Sequence, residues 1–342
     1  MKYLIYSDCH FSQYSSIVRT RGYKYSTRLE NLIKSISWAE HLADDEDCDM
    51  IINLGDTFDR PDLNSEELTA FQDIYFSSKP HIILTGNHDA SISNLEFSSA
   101  QIFKSIDAKV ITGIESMEIN NKVDFYFIPY LTTDKLKPLA DIVFGDKKKV
   151  IFSHNDLAGI QYGKFTSQSG FDVKDILNNC TLFINGHLHN SCVIEDKIIL
   201  VGNLTGQNFN EDATKYDHYV YILSIDDAGA ITVEPHINPH AFNFYKININ
   251  TKSDLSKLNA LKQNPVLSIT CNSKLLQKVT DIINSKNVIE YRLITTYSDS
   301  NTEEPTINFK VEDHLQQFIN YVQTKIPPSD ILSEELGLLS KS

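Results

Sequence analysis

The chain is poor in the features that mark secreted, membrane-spanning or strongly phosphate-binding proteins. Its five cysteines (Cys9, Cys48, Cys180, Cys192, Cys271) are odd in number and form no C-x-x-C pair. That excludes a disulfide scaffold and points to a reduced compartment, the cytoplasm, or a host cytoplasm if the chain is viral. No apolar run approaches a membrane span, and the opening Met1–Tyr6 meets Asp8 too early for a secretory leader. Positive charge is scarce, with 31 Lys+Arg against 45 Asp+Glu and a net charge of −14. Residues 246–342 hold 11 of each sign, which leaves 20 basic and 34 acidic residues in the first 245. Phosphate binding rests on Lys and Arg, so strong nonspecific affinity for nucleic acid by this chain alone is excluded. There is also no internal repeat and no low-complexity tract.

What is present is a set of short apolar runs that each end in Asp, Asn or His. Met50 to Leu54 breaks at Gly55 into Asp56. Tyr3 to Tyr6 runs into Asp8-Cys9-His10, Ile82 to Thr85 into Gly86-Asn87-His88-Asp89, Val150 to Phe152 into His154, and Leu182 to Ile184 into Gly186-His187-Leu188-His189. Open α/β sheets bind ligands at the carboxyl ends of their strands, so five such ends describe one rim.

The 342 residues suggest about two domains. The pattern predicts strand 2–7, a helix over Ser26–Ala43, strand 50–54, a helix near Ser65–Phe76, strand 81–85 and a helix near Asn94–Ile106. Strands follow at 108–112 and 123–128, then a helix near Thr133–Val143, strand 149–152, a long loop over 155–172 and strand 181–185. Closely spaced strands at 191–195, 197–201, 218–225 and 230–237 suggest a second sheet packed on the first, with helices outside. The expected fold class is therefore α/β, a two-sheet sandwich over 1–240. A small α+β domain follows over 241–310, with strands 244–249, 266–271 and 288–296 and helices 253–262 and 273–284. C-terminal helices at 311–325 and 329–339 complete the chain, the apolar face of 311–342 serving either the α+β domain or a partner.

On extended chain, residues i and i+2 face one way, so Asp8 with His10, and His187 with His189, each reach the same side of the rim. Asp56 and Asn87 add oxygen ligands and His154 a nitrogen. This donor set is too rich in neutral nitrogen for a Mg²⁺ or Ca²⁺ cage and lacks the thiolates of structural zinc, but it suits Mn²⁺, Fe²⁺ or Zn²⁺. Seven ligands serve two ions sharing the Asp56 carboxylate: Asp8, His10 and His189 on one, and Asn87, His154 and His187 on the other. Two such ions clamp a phosphate oxygen and activate a water. His88 is then free to donate to the leaving oxygen, with Asp89 expected to fix its tautomer. His41, His81, His218, His236, His240 and His314 read as structural, and Cys9 as a core residue between ligands.

These residues resemble the calcineurin-like metallophosphoesterase signature. Gly55-Asp56-Thr57-Phe58-Asp59 with Gly86-Asn87-His88-Asp89 resembles, within it, the SbcD-type repair nucleases. Ser153 stands where Gly is usual, and Asn203 where Ser is usual. The resemblance implies a two-Mn²⁺ DNA exonuclease and endonuclease, with Mg²⁺, Fe²⁺ or Zn²⁺ as alternatives. It implies a homodimer joined to an SbcC-type coiled-coil ATPase in a heterotetramer, and no membrane. Asp59 matches a supporting position behind the ligands. Arg60 matches the phosphate-binding Arg of protein phosphatases, which keeps a phosphatase or cyclic-nucleotide phosphodiesterase open as the alternative. A metal-free scaffold subunit is the reading from another class.

A softer expectation concerns DNA. Arg19, Arg21, Tyr23, Lys24 and Arg28, basic with interleaved tyrosines, together with Arg60, are candidates for contacting phosphates and stacking on bases at the mouth of the rim.

Overall fold

Strands apolar on both faces have to be covered on both sides, and that requirement layers this molecule. The computed structural model describes residues 1–15, 18, 22–91, 94–162 and 165–296. Strands β1 (Lys2–Tyr6), β2 (Met50–Asn53), β3 (His81–Leu84) and β4 (Lys109–Ile111) run parallel in that order in one sheet. On β1, Leu4 and Tyr6 pack with Leu29, Leu32 and Ile36 of helix α1 (Thr27–Asp45), while Tyr3 and Ile5 face inward. Helix α1 starts at Ser26, whose side chain accepts the Leu29 N–H. The shorter α2 (Ser65–Gln72) contributes Ala70 and Phe71 to the same outer cluster.

A second six-stranded sheet comprises β5 (Glu115–Glu118), β6 (Val123–Ile128), β7 (Lys148–Ser153), β8 (Leu182–Asn185), β9 (Cys192–Ile194) and β10 (Ile198–Leu200). Its order is β9-β10-β8-β7-β6-β5, with β6, β7, β8 and β10 parallel. Phe125, Phe127, Val150, Phe152 and Ile184 meet Tyr3, Ile5, Ile52 and Leu84 between the two sheets. On the far face, Ile151, Phe183 and Leu200 pack on Ile176 of helix α3 (Val173–Asn179). Strands β11 (Tyr219–Ile225) and β12 (Ile231–Ile237) return to the first sheet, antiparallel beside β1. The closely spaced strands of this region therefore do not form a sheet of their own. They divide between the two sheets, because Leu4 and Ile5 offer β11 a paired edge on both faces.

A third, all-parallel sheet of β13 (Asn243–Ile249), β14 (Pro265–Asn272) and β15 (Glu290–Thr296) carries helix α4 (Leu276–Asn284). It belongs to the same compact unit, Met1–Thr296, as the sandwich. Among the described residues no helix is long and apolar enough to cross a membrane.

Several sequence expectations need correction. Residues 94–106 are strand Asn94–Ser98 followed by 3-10 turns over Ser99–Ile106, because Ser98 is extended and its side chain caps the Ala100 N–H. Only one 3-10 turn, Leu139–Asp141, forms within 133–143, where Pro138 pushes the preceding residue out of helical geometry. Lys252–Asn259 is likewise 3-10. The stretch 155–172 is not structureless but holds two short strand pairs, and α3 was not anticipated at all. Residues 298–342, with the helices expected at 311–325 and 329–339, lie outside the described residues.

Candidate metal centre

Parallel strands put all their carboxyl ends on one side, and that topology gathers the candidate ligands. Asp8 and His10 follow β1, Asp56 follows β2, and Asn87 to Asp89 follow β3. His154 follows β7, and His187 and His189 follow β8. The loops are laced together by backbone bonds, Asp8 N to Gly55 O at 3.1 Å and His10 N to Asp56 O at 2.9 Å. Asp8, His10, Asp56 and His187 have φ of 50, 46, 47 and 69°, the left-handed region that side chains other than glycine seldom occupy. Gly86 is needed for contact: a Cβ there would lie 2.1 Å from Asp56 Oδ1. Gly55 has φ +109°, and a Cβ on it would meet His154 Nδ1 at 2.8 Å.

The side chains converge. His10 Nε2 lies 3.1 Å from His189 Nε2, 3.9 Å from Asp8 Oδ1 and 3.8 Å from Asp56 Oδ2. The same Asp56 Oδ2 lies 3.1 Å from His154 Nε2. Asp8, His10 and His189 form one group with all ligand atoms within 4.8 Å of one another, and Asp56, His154 and His187 form a second. A third such group joins His10 and Asp56 to His88. Asp8 Oδ1 and Asn87 Oδ1 are buried without any hydrogen-bond partner, and His154 Nε2 meets the Asp56 carboxylate. Leaving such atoms unpaired costs about 1–3 kcal/mol each, so their grouping marks lone pairs kept for a ligand.

The remaining atoms of these groups are spent on orientation. Asp8 Oδ2 accepts the Ser7 hydroxyl at 2.5 Å and the His187 N–H at 3.0 Å. Asp56 Oδ1 accepts the His88 N–H at 2.8 Å, and His154 Nδ1 donates to Leu54 O at 2.8 Å. Electrostatics follow from this crowding. Burial alone would raise the Asp56 carboxyl, but the His154 imidazole beside it holds it well below the usual range. Burial would lower His154, and Asp56 overrides that and raises it to about 9. His189 is lowered to about 4 by burial and by His10. Two oxygen- and nitrogen-bearing groups, with the Asp56 carboxylate of one 3.8 Å from His10 of the other, fit two divalent ions.

The supporting residues differ from expectation in one place. Asp89 does not touch the His88 ring. It is fully buried, with Oδ1 accepting Phe58 N–H and Oδ2 accepting Gly86 N–H, each at 2.9 Å, so it ties the β2 loop to the β3 loop. His88, with 43% of its side chain exposed, instead places Nδ1 2.9 Å from the Asp59 carbonyl oxygen and 3.9 Å from Asp59 Oδ1. Asp59 also lies 3.3 Å from His10 Nδ1. One residue was missed: Asp156 Oδ1 is 3.3 Å from His187 Nε2. Its signal in the sequence was its place two residues after His154, the same i, i+2 spacing as the paired ligands.

The basic candidates scatter. Arg19 and Arg21 lie outside the described residues. Tyr23 is fully exposed, and Lys24 Nζ is 2.6 Å from Asp73 Oδ2. Arg28 departs from the expectation of DNA contact, because it is buried and donates to the Gly206 carbonyl at 2.7 Å. Arg60 pairs with buried Glu67 at 2.6 Å, donates to Ser12 Oγ at 3.1 Å and lies over the Tyr14 ring.

A family profile described as calcineurin-like phosphoesterase matches residues 1–222. No curated protein matches the chain. Among solved structures, a dimetal phosphatase from Danio rerio is similar over 70% of this chain and 96% of that one, at 13% identity and a TM-score of 0.44. The calcineurin-like phosphoesterase YfkN from Bacillus subtilis is similar over 70% of this chain and 90% of that one, at 10% identity and a TM-score of 0.38.

Proposed function

The chain belongs to the calcineurin-like phosphoesterase family, and on that premise we propose that it is the nuclease subunit of a DNA-end-processing complex. In this reading it cleaves phosphodiesters with two Mn²⁺ and works as a homodimer with an SbcC-type coiled-coil ATPase. Metal-dependent hydrolysis of phosphoesters is the family's chemistry, and the His and Asp clusters fit two divalent ions. The observation that carries the reading is the pair of buried, unpartnered oxygens on Asp8 and Asn87, on the loops that also bring the Asp56 carboxylate between His10 and His154.

Asp8, His10 and His189 would hold one ion, Asn87, His154 and His187 the other, and Asp56 both. When bound, two ions polarise the phosphate and lower the pKa of a water towards about 7. The water oxygen bonds to phosphorus as the bond to the leaving oxygen breaks. His88 serves that oxygen: Nδ1–H donates to the Asp59 carbonyl, and the imidazolium form delivers its second proton from Nε2, leaving the neutral ring. Asp59 orients His10 and His88 together, and Asp89 keeps the two loops in register. The described basic candidates Lys24, Arg60 and Arg28 are already engaged by Asp73, Glu67 and Gly206. Grip on a long polyanion therefore falls to the ions and to the partner, and the acidic first 245 residues support that division.

The test is purification with and without the coiled-coil ATPase, followed by Mn²⁺-dependent release of nucleotides from duplex DNA and hydrolysis of a small phosphomonoester. Nucleotide release is the expected outcome. Activity on the monoester alone would reject the nuclease in favour of a phosphatase, and inactivity on both with partner and metal present would favour a scaffold.

A further inference from the structure

A hollow of ≈ 420 Å³ opens directly beside His187 and His189. Its lining combines the buried, apolar Leu188 and Leu200 with the neutral polar side chains of Asn190, Asn208, Asn210 and Tyr216. Among the described residues no Lys or Arg lines it. The acid in its lining, Glu211, is spent on Asn203 Nδ2 at 3.0 Å and on the Gln207 N–H. Among the described residues no hydrogen bond engages the Asn190 amide, the Asn210 amide or the Tyr216 hydroxyl.

The polar part of the lining is held in place by the third sheet. Ala213 N donates to Phe244 O at 3.1 Å, and Phe209 stacks edge-on against Phe244 at 5.2 Å. Arg292 covers the Phe209 ring at 4.6 Å. Lys262 Nζ reaches the Tyr216 carbonyl at 3.0 Å and Asp217 Oδ1 at 2.7 Å. Asn208 Oδ1 accepts the Asn210 N–H at 2.8 Å. A lining fixed this way loses little freedom when it is occupied.

We propose that this hollow is a nucleoside subsite, holding one uncharged base with its sugar next to the phosphate to be cut; the assignment rests on the phosphodiester reading above. Among the described residues the lining offers no cation to the charges of a phosphomonoester. Amides without partners match the donor and acceptor edge of a base, as Asn does for adenine. Tyr216, Leu188 and Leu200 supply aromatic and apolar surface against which its flat faces can pack. A phosphodiester presents such a group on the ester side that a small monoester lacks.

Two esters with the same leaving group test it: bis(4-nitrophenyl) phosphate, and thymidine 5′-phosphate as its 4-nitrophenyl ester. The full-length protein with Mn²⁺ is expected to prefer the nucleoside ester by about 10-fold in kcat/KM, through KM. The Asn210→Ala/Tyr216→Ala double variant is expected to lose that preference. Independently, saturation-transfer NMR should detect thymidine and adenosine, which carry no phosphate, on the wild type and not on the double variant. Equal kcat/KM for the two esters with no nucleoside signal overturns the subsite and leaves the phosphodiesterase reading standing. Nucleoside binding without hydrolysis of either ester supports the subsite and overturns the catalytic reading.

Discussion

Beneath α1 the first sheet buries a second cluster of histidine and carboxylate, at the opposite end of β3 from Asn87. Glu40 is fully buried there; Oε2 meets His81 Nε2 at 2.9 Å and the Ser77 N–H at 3.1 Å, and Oε1 meets the Tyr6 hydroxyl at 3.2 Å. These atoms answer one another, and none remains open. At the rim, residues of the same types leave Asp8 Oδ1 and Asn87 Oδ1 unanswered. Burial and residue type are shared, so neither makes a site. The difference lies in whether the lone pairs are spent, and it separates a cluster that holds the fold from one that waits for a ligand.

Four experiments press on this contrast. Asp56→Ala should be the most damaging to function, removing the carboxylate that lies between His10 and His154. Activity on bis(4-nitrophenyl) phosphate should fall by about 10⁴-fold or more, and titration calorimetry should find Mn²⁺ binding lost. Next in size, His88→Ala should lower kcat by roughly 10³-fold while keeping both ions; loss of metal in this variant would make His88 a ligand, as its grouping with His10 and Asp56 allows. On the closed side, Glu40→Ala should cost about 3 kcal/mol in urea unfolding by leaving His81 and Tyr6 unpaired. Mn²⁺ affinity should be unchanged, and a shift there would erase the distinction.

The smallest effect concerns His218, a buried imidazole engaged with the Asn203 carbonyl at 3.0 Å and lowered by burial to about 4. Its folded pKa is below its unfolded value, so its contribution is present above about pH 6.5 and lost as pH falls through about 4. That amounts to up to about 3 kcal/mol. Urea midpoints from pH 7 to 4.5 should decline less steeply for His218→Gln than for the wild type.

The rim was legible because each ligand follows directly on an apolar strand run, and parallel pairing does the gathering. What lay beyond that was geometry that sequence adjacency hides. Asp89 neighbours His88 in the chain, yet strand-end curvature turns it inward to the Phe58 and Gly86 amides, and Asp59 from another loop takes its place. Arg28 looked like part of a basic loop. It is the first of a buried polar stripe on α1, Arg28, Asn31 and Ser35, at helical spacing. That stripe faces backbone carbonyls of Gly206 and His240, which only the fold brings there. Asp156 was passed over because nothing local showed that His187 would arrive beside it.

The left-handed backbone at Asp8, His10, Asp56 and His187 carries one last implication. Each such residue stores on the order of 1 kcal/mol or more of conformational strain that glycine would release. Selection for heat resistance alone would therefore accept glycine at these ligands as readily as at Asp47, Asp107, Glu195, Asp196 and Asn264, which share that backbone, and only the need for the ligands would oppose it.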